Sequence, residues 1–366
     1  MRFTEGFRDP TVARALAAGL RAAAAGDRRL CFMEVCGTHT MAVGRHGLRA
    51  LLPPNVRLVS GPGCPVCVTP SGYLDAALEL GRRGAVLATF GDLLHAPAGD
   101  GRTLAGWRGA GGDVHVCYSP LEALALAEAA PSREVVFLAI GFETTIAPTL
   151  MLAVRAHRAG IRNVSLLTSF RRVVPAMEAV LATPDVRLDG FLCPPHVSTV
   201  IGADAYRPVA ERYGRPCVVA GFEPLDVLAG LLELIRLATA GRAEVHNEYA
   251  RVVTPKGNPR ARALIEEWLT PSDAWWRGLG RLPDSGYSLR PDRAEWDAAR
   301  RLGVEVGPGA EPRGCRCGDV VAGRIDPPEC PLFGRRCTPD RPVGPCMVSS
   351  EGSCAAWYRY ERAGRT

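Results

Sequence analysis

Glu134-Val135-Val136-Phe137-Leu138-Ala139-Ile140, followed at once by Gly141-Phe142-Glu143-Thr144-Thr145, is the stretch that decides the fold. An unbroken apolar run of this length, bounded by a charge and a glycine, reads as a strand buried on both faces. The same strand-then-polar-loop pattern recurs on either side. Upstream, 85–89 leads into Gly91-Asp92-Leu93-Leu94-His95, 56–60 into Gly61-Pro62-Gly63-Cys64-Pro65-Val66-Cys67, and 30–35 into Cys36-Gly37-Thr38-His39-Thr40. Downstream, 164–168 precedes Ser169-Phe170-Arg171-Arg172, and 190–192 precedes Cys193-Pro194-Pro195-His196-Val197-Ser198. Finally, 216–220 precedes Gly221-Phe222-Glu223-Pro224-Leu225-Asp226.

Helices fill the gaps. Residues from Asp9-Pro10 to Gly26 repeat an apolar residue every fourth position, which lines one helix face. Ser119-Pro120-Leu121-Glu122 reads as a capping box opening a helix over 123–130, and 224–240 is too apolar for an exposed helix. Strand, polar loop and helix in repetition predict an α/β protein with parallel sheets. In such sheets the ligand crevice lies at the C-terminal strand ends. Cys36, Cys64, Cys67, Asp92, Glu143, Thr144, Thr145, His196, Ser198 and Glu223 all fall there, and they are the candidate site residues.

At 366 residues the chain needs more than one core. We expect α/β domains over 1–130 and 131–243 and a cysteine-rich C-terminal domain over 244–366, with irregular structure around Trp275, Trp276 and Trp296. The net charge of +6 is carried by scattered arginines with no aromatic-interleaved stripe, which speaks against nucleic acid. The start lacks the apolar core of a signal peptide, and no run is long enough to span a membrane, so a cytoplasmic protein is expected. No G-x-G-x-x-G or Walker loop follows the strands, and no G-x-S-x-G elbow is present.

The thirteen cysteines then become the chemistry. In a reducing compartment they are metal ligands or redox thiols more readily than a structural framework. Cys64 and Cys67 can close a small disulfide ring or bite a metal; Cys36 and His39 can share a metal, or the imidazole can lower the thiol's pKa. Cys315, Cys317, Cys330, Cys337, Cys346 and Cys354 crowd a Gly- and Pro-rich tail that has little apolar core of its own. A metal centre would organise it. Zinc, an iron–sulfur cluster and plain redox thiols all remain open on chemistry alone.

Taken together, Cys-Gly-Thr-His at 36–39, Gly-Pro-Gly-Cys-Pro-Val-Cys at 61–67, Gly-Phe-Glu-Thr-Thr at 141–145, His-Val-Ser at 196–198 and Gly-Phe-Glu-Pro-Leu-Asp at 221–226 carry a resemblance. With the tail motifs around Cys330, Cys337 and Cys346 to Cys354, the chain resembles the HypD family of hydrogenase maturation proteins from about residue 30 to 360. The resemblance implies two Rossmann-like parallel-sheet domains and a small iron–sulfur domain around a central cleft. It implies a redox-active assembly scaffold more than a multiple-turnover enzyme. On it the Fe(CN)2CO group of [NiFe]-hydrogenases would be built as transient cargo, by a monomer in a hetero-complex with a HypC-type small chaperone and a HypE-type cyanide carrier. Cys36 would hold the iron beside His39, and Cys64 with Cys67 would be the nearby redox pair. Cys315, Cys330, Cys337 and Cys354 would bind a [4Fe–4S] cluster, with Cys317 and Cys346 as a second thiol pair. Glu143, Thr144, Thr145, His196 and Ser198 would orient ligands. Pro195, Met41 and His95 depart from the family pattern, where Gly, His and a more basic residue are expected.

Overall fold

In the computed structural model, which describes residues 6–361, the strands form two sheets. In chain order they are β1 (Leu30–Glu34), β2 (Val56–Ser60), β3 (Val86–Thr89), β4 (Val114–Val116), β5 (Val135–Gly141) and β6 (Val164–Arg171). Then follow β7 (Gly190–Cys193), β8 (Cys217–Val219), β9 (Val245–Asn247), β10 (Leu269–Trp276) and β11 (Gly280–Leu289). The first sheet runs β2-β1-β7-β8-β9, parallel throughout. The second runs β10-β11-β6-β5-β3-β4, parallel from β6 to β4 and closed by an antiparallel hairpin. The α/β class expected from the apolar runs is what the chain adopts.

Every residue of β5 is buried, as helices on both faces of a parallel sheet require. Phe137 and Ala139 pack with Ile146, Leu150 and Ala153 of the helix Glu143–Ala159. In the first sheet, Phe32, Leu58, Leu192 and Val218 pack with Leu228, Leu231 and Ile235 of the helix Pro224–Thr239 and with Leu20 of the helix Pro10–Ala23. That first helix begins where Asp9 predicts: its carboxylate accepts from the Thr11 N–H at 2.7 Å, with Pro10 as the first helical residue. At the next cap Glu122 reaches back to accept from Ser119 N–H at 2.9 Å, while the Ser119 hydroxyl accepts from Leu121. The helix itself spans Glu122–Ala129.

The strands do not follow the contiguous blocks 1–130 and 131–243. The chain leaves the first sheet after β2, builds the second from β3 to β6, returns for β7 to β9, and sends β10 and β11 back to the second. An apolar strand pattern states that both faces are covered; it does not state which sheet covers them. The stretch expected to be irregular around Trp275 and Trp276 is that β10–β11 hairpin. Pro271 and Pro283 conceal it in the sequence, and the structure tolerates Pro271 because β10 is an edge strand. A register shift between Ser272 and Ala274 accompanies it.

One half-buried side chain ties the returning strand to β1. The Asp189 carboxylate accepts from the Cys31 N–H at 2.9 Å and from Arg28 at 3.0 Å, while Asp189 N–H donates to the Cys31 carbonyl at 2.7 Å. Asp189→Ala is expected to cost about 1–2 kcal/mol in chemical denaturation, and Arg28→Ala, whose partner stays bonded to backbone, well under half of that.

Candidate functional site

The site grows from the register of β1 on β2, which sets Glu34 opposite Ser60. The loops that follow run side by side: Gly61 N–H donates to the Glu34 carbonyl at 2.8 Å and Gly37 N–H to the Gly63 carbonyl at 3.3 Å. Any side chain on Gly63 would collide with the backbone of Val35 and Cys36. The solitary thiol and the Cys-x-x-Cys pair are therefore neighbours.

Cys36 is the N-cap of the helix Gly37–Arg45. Its N–H donates to Glu34 Oε2 at 3.1 Å. Burial pushes its thiol up to about 12, and the Glu351 and Glu34 carboxyls push the same way; the N–H groups of His39 and Thr38, donating to the sulfur, oppose them. The thiol thus keeps its proton until something soft and cationic replaces it. His39 is fully buried, and its Nε2 lies 2.9 Å from the Gly221 carbonyl and 3.2 Å from that of Ala220. Carbonyls only accept, so Nε2 carries the proton and Nδ1 carries the lone pair. That Nδ1 is buried without a partner, and burial lowers the ring's pKa to about 4, which keeps it neutral. Phe222 lies between His39 and the exposed His196, with centroid separations of 5.4 and 4.3 Å.

Two acids beside Cys36 were not among the sequence candidates. Glu34 is fully buried, accepts from the Thr40 hydroxyl and from Cys36, and is raised to about 7 by burial. Glu351 accepts from the Thr38 hydroxyl at 2.5 Å, and burial raises it too. A glutamate closing an otherwise apolar strand was the available signal for the first. Glu351 stood in a quoted tail motif with nothing to place it against Thr38.

Cys64 and Cys67 are joined as a disulfide across the one-turn helix Pro65–Val68, and both are buried. The helices Cys317–Val321 and Pro345–Val348 pack on that turn. They bring Cys317 and Cys346 side by side, with sulfurs 2.6 Å apart. The hydrogen bond with Cys346 lowers the Cys317 thiol, assisted by the Arg277 guanidinium, which also donates to the Thr69 carbonyl at 2.9 Å. Cys315, Cys317, Cys330, Cys337, Cys346 and Cys354 all line one small pocket with Phe333 and Met347. A side chain on Gly344 would strike the Cys315 sulfur, and the Val343 N–H donates to Cys337 Sγ at 3.3 Å. Burial and the neighbouring thiols push Cys315 upward, so that thiol resists ionising. Among the described residues no three His, Cys, Asp or Glu close on a single-ion site; the tail sulfurs surround a pocket instead. By donor chemistry these thiols suit zinc or a polynuclear iron–sulfur group alike.

The remaining candidates scatter. Glu143 opens the helix Glu143–Ala159 and is buried; its Oε1 accepts from Val173 N–H at 3.1 Å while Oε2 has no partner. It lines a cavity of about 590 Å³ with Arg172, Lys256 and Tyr287. Thr145 is turned back on the Phe142 carbonyl at 3.2 Å, and Thr144 is half-buried. Ser198 is fully buried and bonded to the Pro194 carbonyl at 2.6 Å and to Tyr206 Oη at 2.9 Å, so it serves the core. Asp92 is exposed, and Glu223 is paired with Arg8 at 2.6 Å.

The fold and site define a thiol-rich α/β protein whose isolated cysteine, dithiol and tail thiols are packed in sequence against one another. The family model HypD, described as "Hydrogenase formation hypA family", matches residues 11–361. The chain is 50% identical over 369 residues to the hydrogenase maturation factor HypD of Azotobacter vinelandii, covering 99% of this chain and 97% of that protein. It is 45% identical over 371 residues to HypD of Cupriavidus necator, covering 99% and 98%, and 41% identical over 369 residues to HypD of Escherichia coli, covering 99% of each. The chain belongs to the HypD family of hydrogenase maturation factors. No helix among the described residues is long and apolar enough to cross a membrane.

Glu143 yields a pH test. Burial raises its folded pKa from 4.5 to about 7. Between those values the folded chain holds a proton that the unfolded chain has lost, so stability falls as pH rises through that window and levels off above it. Glu143→Gln keeps the Oε1 acceptor and removes the titration. Denaturation at several pH values should show a shallower decline for the variant, by up to roughly 3 kcal/mol across the window.

Proposed function

We propose that the chain is the scaffold on which the Fe(CN)2CO group of [NiFe]-hydrogenases is assembled, working in the cytoplasm in a complex with a HypC-type small chaperone and accepting cyanide from a HypE-type carrier. The observation that carries this reading is the packing of the Cys36 loop on the Gly61–Cys64 loop, with Cys317 and Cys346 packed on the turn between Cys64 and Cys67. A metal-type site and a two-electron site share one buried corner.

Cys36 takes the iron of the cargo. Its proton leaves as the metal arrives, and the two N–H groups that already face the sulfur support the thiolate. Neutral His39, with its bare Nδ1, is the second donor or hydrogen-bond acceptor at hand. The Cys64–Cys67 disulfide takes up two electrons and two protons to give two thiols, and returns them in the reverse step. Cys315, Cys330, Cys337 and Cys354 would hold a [4Fe–4S] cluster, which supplies one-electron redox chemistry when bound. Burial of Cys64 and Cys67 argues against a general thiol–disulfide oxidoreductase, because a protein disulfide has poor access to either sulfur. In this reading His196, exposed beside Phe222, meets an incoming ligand, and Glu143, which lines a cavity, bonds one there.

Infrared spectra of the purified complex with the HypC-type partner test the first role. Cys36→Ala should lose the CN and CO bands, whereas Cys64→Ala or Cys67→Ala should lose the titratable pair and stall maturation with some iron retained. Native-intensity bands in the Cys36 variant, together with their loss in a folded Cys64 variant, would reverse the two roles. In the tail, Cys330→Ala or Cys337→Ala should abolish the visible absorption of anaerobically purified protein and much of its solubility. Cys317→Ala and Cys346→Ala should keep the cluster and impair maturation. Zinc in colourless wild-type protein would sink the cluster assignment.

A further inference from the structure

Among the described residues two arginines are almost entirely buried, Arg171 at 5% exposure and Arg277 at 2%. Arg277 is paired with Glu311 and donates to the Thr69 carbonyl. Arg171, the last residue of β6, has no such acid. Its Nη2 donates to the Trp275 carbonyl at 2.7 Å and its Nη1 to the Phe170 carbonyl at 3.2 Å, with the Trp276 ring 5.5 Å away. Its Nε–H is buried without a partner. Burial lowers its pKa to about 10, and the group that opposes this is the Tyr73 phenol. Among the described residues no carboxylate pairs with it. Carbonyl dipoles and a ring face moderate a buried cation, but they do not neutralise it.

Arg171 is also among the residues that line a cavity of about 210 Å³ between β6 and the β10–β11 hairpin. Ser169, Ser272 and Ser288 are among the residues that line it. The Ser288 hydroxyl donates to Ser272 Oγ at 2.8 Å, which leaves the Ser272 proton free to donate elsewhere. The acid on the wall, Asp273, is paired with Arg281 at 3.2 Å. A buried unpaired cation, hydroxyl donors and room for a small molecule coincide in one place.

We propose that this pocket binds a small oxyanion, a phosphate or carboxylate group, which gives Arg171 its missing counter-charge and accepts hydrogen bonds from the wall hydroxyls. Arginine suits such a group because its planar fork bonds two oxygens at once. The site is separate from the cysteine centres, although Pro70, next after Thr69 in the segment that follows the Cys64–Cys67 turn, forms part of its wall.

The test uses the full chain. Intrinsic tryptophan fluorescence, reported by Trp275 at the wall and Trp276 beneath the guanidinium, is followed while inorganic phosphate or acetate is added at constant ionic strength, with chloride as the control. Wild type is expected to saturate with phosphate or acetate and not with chloride, and its thermal midpoint to rise over the same range. Arg171→Gln should weaken binding by about tenfold or more. Ser272→Leu, which fills the pocket from the edge strand and leaves Arg171 in place, should do the same if the first variant folds poorly. Saturation by phosphate alone assigns a phosphate site, and by acetate alone a carboxylate site. No saturable response in wild type up to tens of millimolar anion, or unchanged affinity in a folded Arg171→Gln or Ser272→Leu variant, overturns the proposal.

Discussion

The place where a side chain on Gly63 would have to go is filled by the backbone of Val35 and Cys36. That close approach fuses the loops after β1 and β2 into one object, and the arrangement of thiols depends on it. With the loops joined, the helix Gly37–Arg45 and the turn Pro65–Val68 start from a common corner. The tail then has two fixed surfaces to fold on: its last helix, Ser353–Tyr360, packs on the first of these, and its shorter helices pack on the second. The tail thiols are thereby registered against the N-terminal thiols, although almost three hundred residues separate them along the chain.

The acids around Cys36 give that corner an unusual character. Burial above all raises the Cys36 thiol's pKa, so the resting site is protonated and unreactive. Glu34 and Glu351 are themselves held toward their neutral forms by burial. A corner that holds its protons in this way is protected from adventitious thiol chemistry. The same logic is written differently at Arg171, where a positive group is buried and no acid accompanies it.

Much of this was legible in the sequence, for a physical reason. Strands covered on both faces leave apolar runs, and the polar residues that end them gather at one sheet edge, where the loops carrying Cys36 and Cys64 lie side by side. The helix starting at Pro10 is legible through its apolar periodicity, and the one starting at Pro224 through an apolar content too high for an exposed helix. Sheet membership was not legible, because β2 and β3 read alike yet join different sheets. Ser198 was drawn into the candidate site by its strand-end position, and only the packing of Tyr206 reveals that its hydroxyl is already spent in the core. Nor does a sequence distinguish Arg171 from Arg172 beside it. One is sealed under the hairpin, and the other lines the larger cavity.

The interleaving of the two sheets has a consequence for the ribosome. After β2 is made, the first sheet must wait through the whole of β3 to β6 before β7 arrives to flank β1. A pair of strands alone is marginal in water, so throughout that interval the Cys36, Cys64 and Cys67 thiols belong to a segment without its core. The second sheet has its parallel strands first, and the tail emerges last. Vectorial synthesis therefore places the closing of the sulfur-bearing corner late, after the rest of the scaffold is in hand. The nascent chain thus spends its longest exposed period with Cys36, Cys64 and Cys67 uncovered.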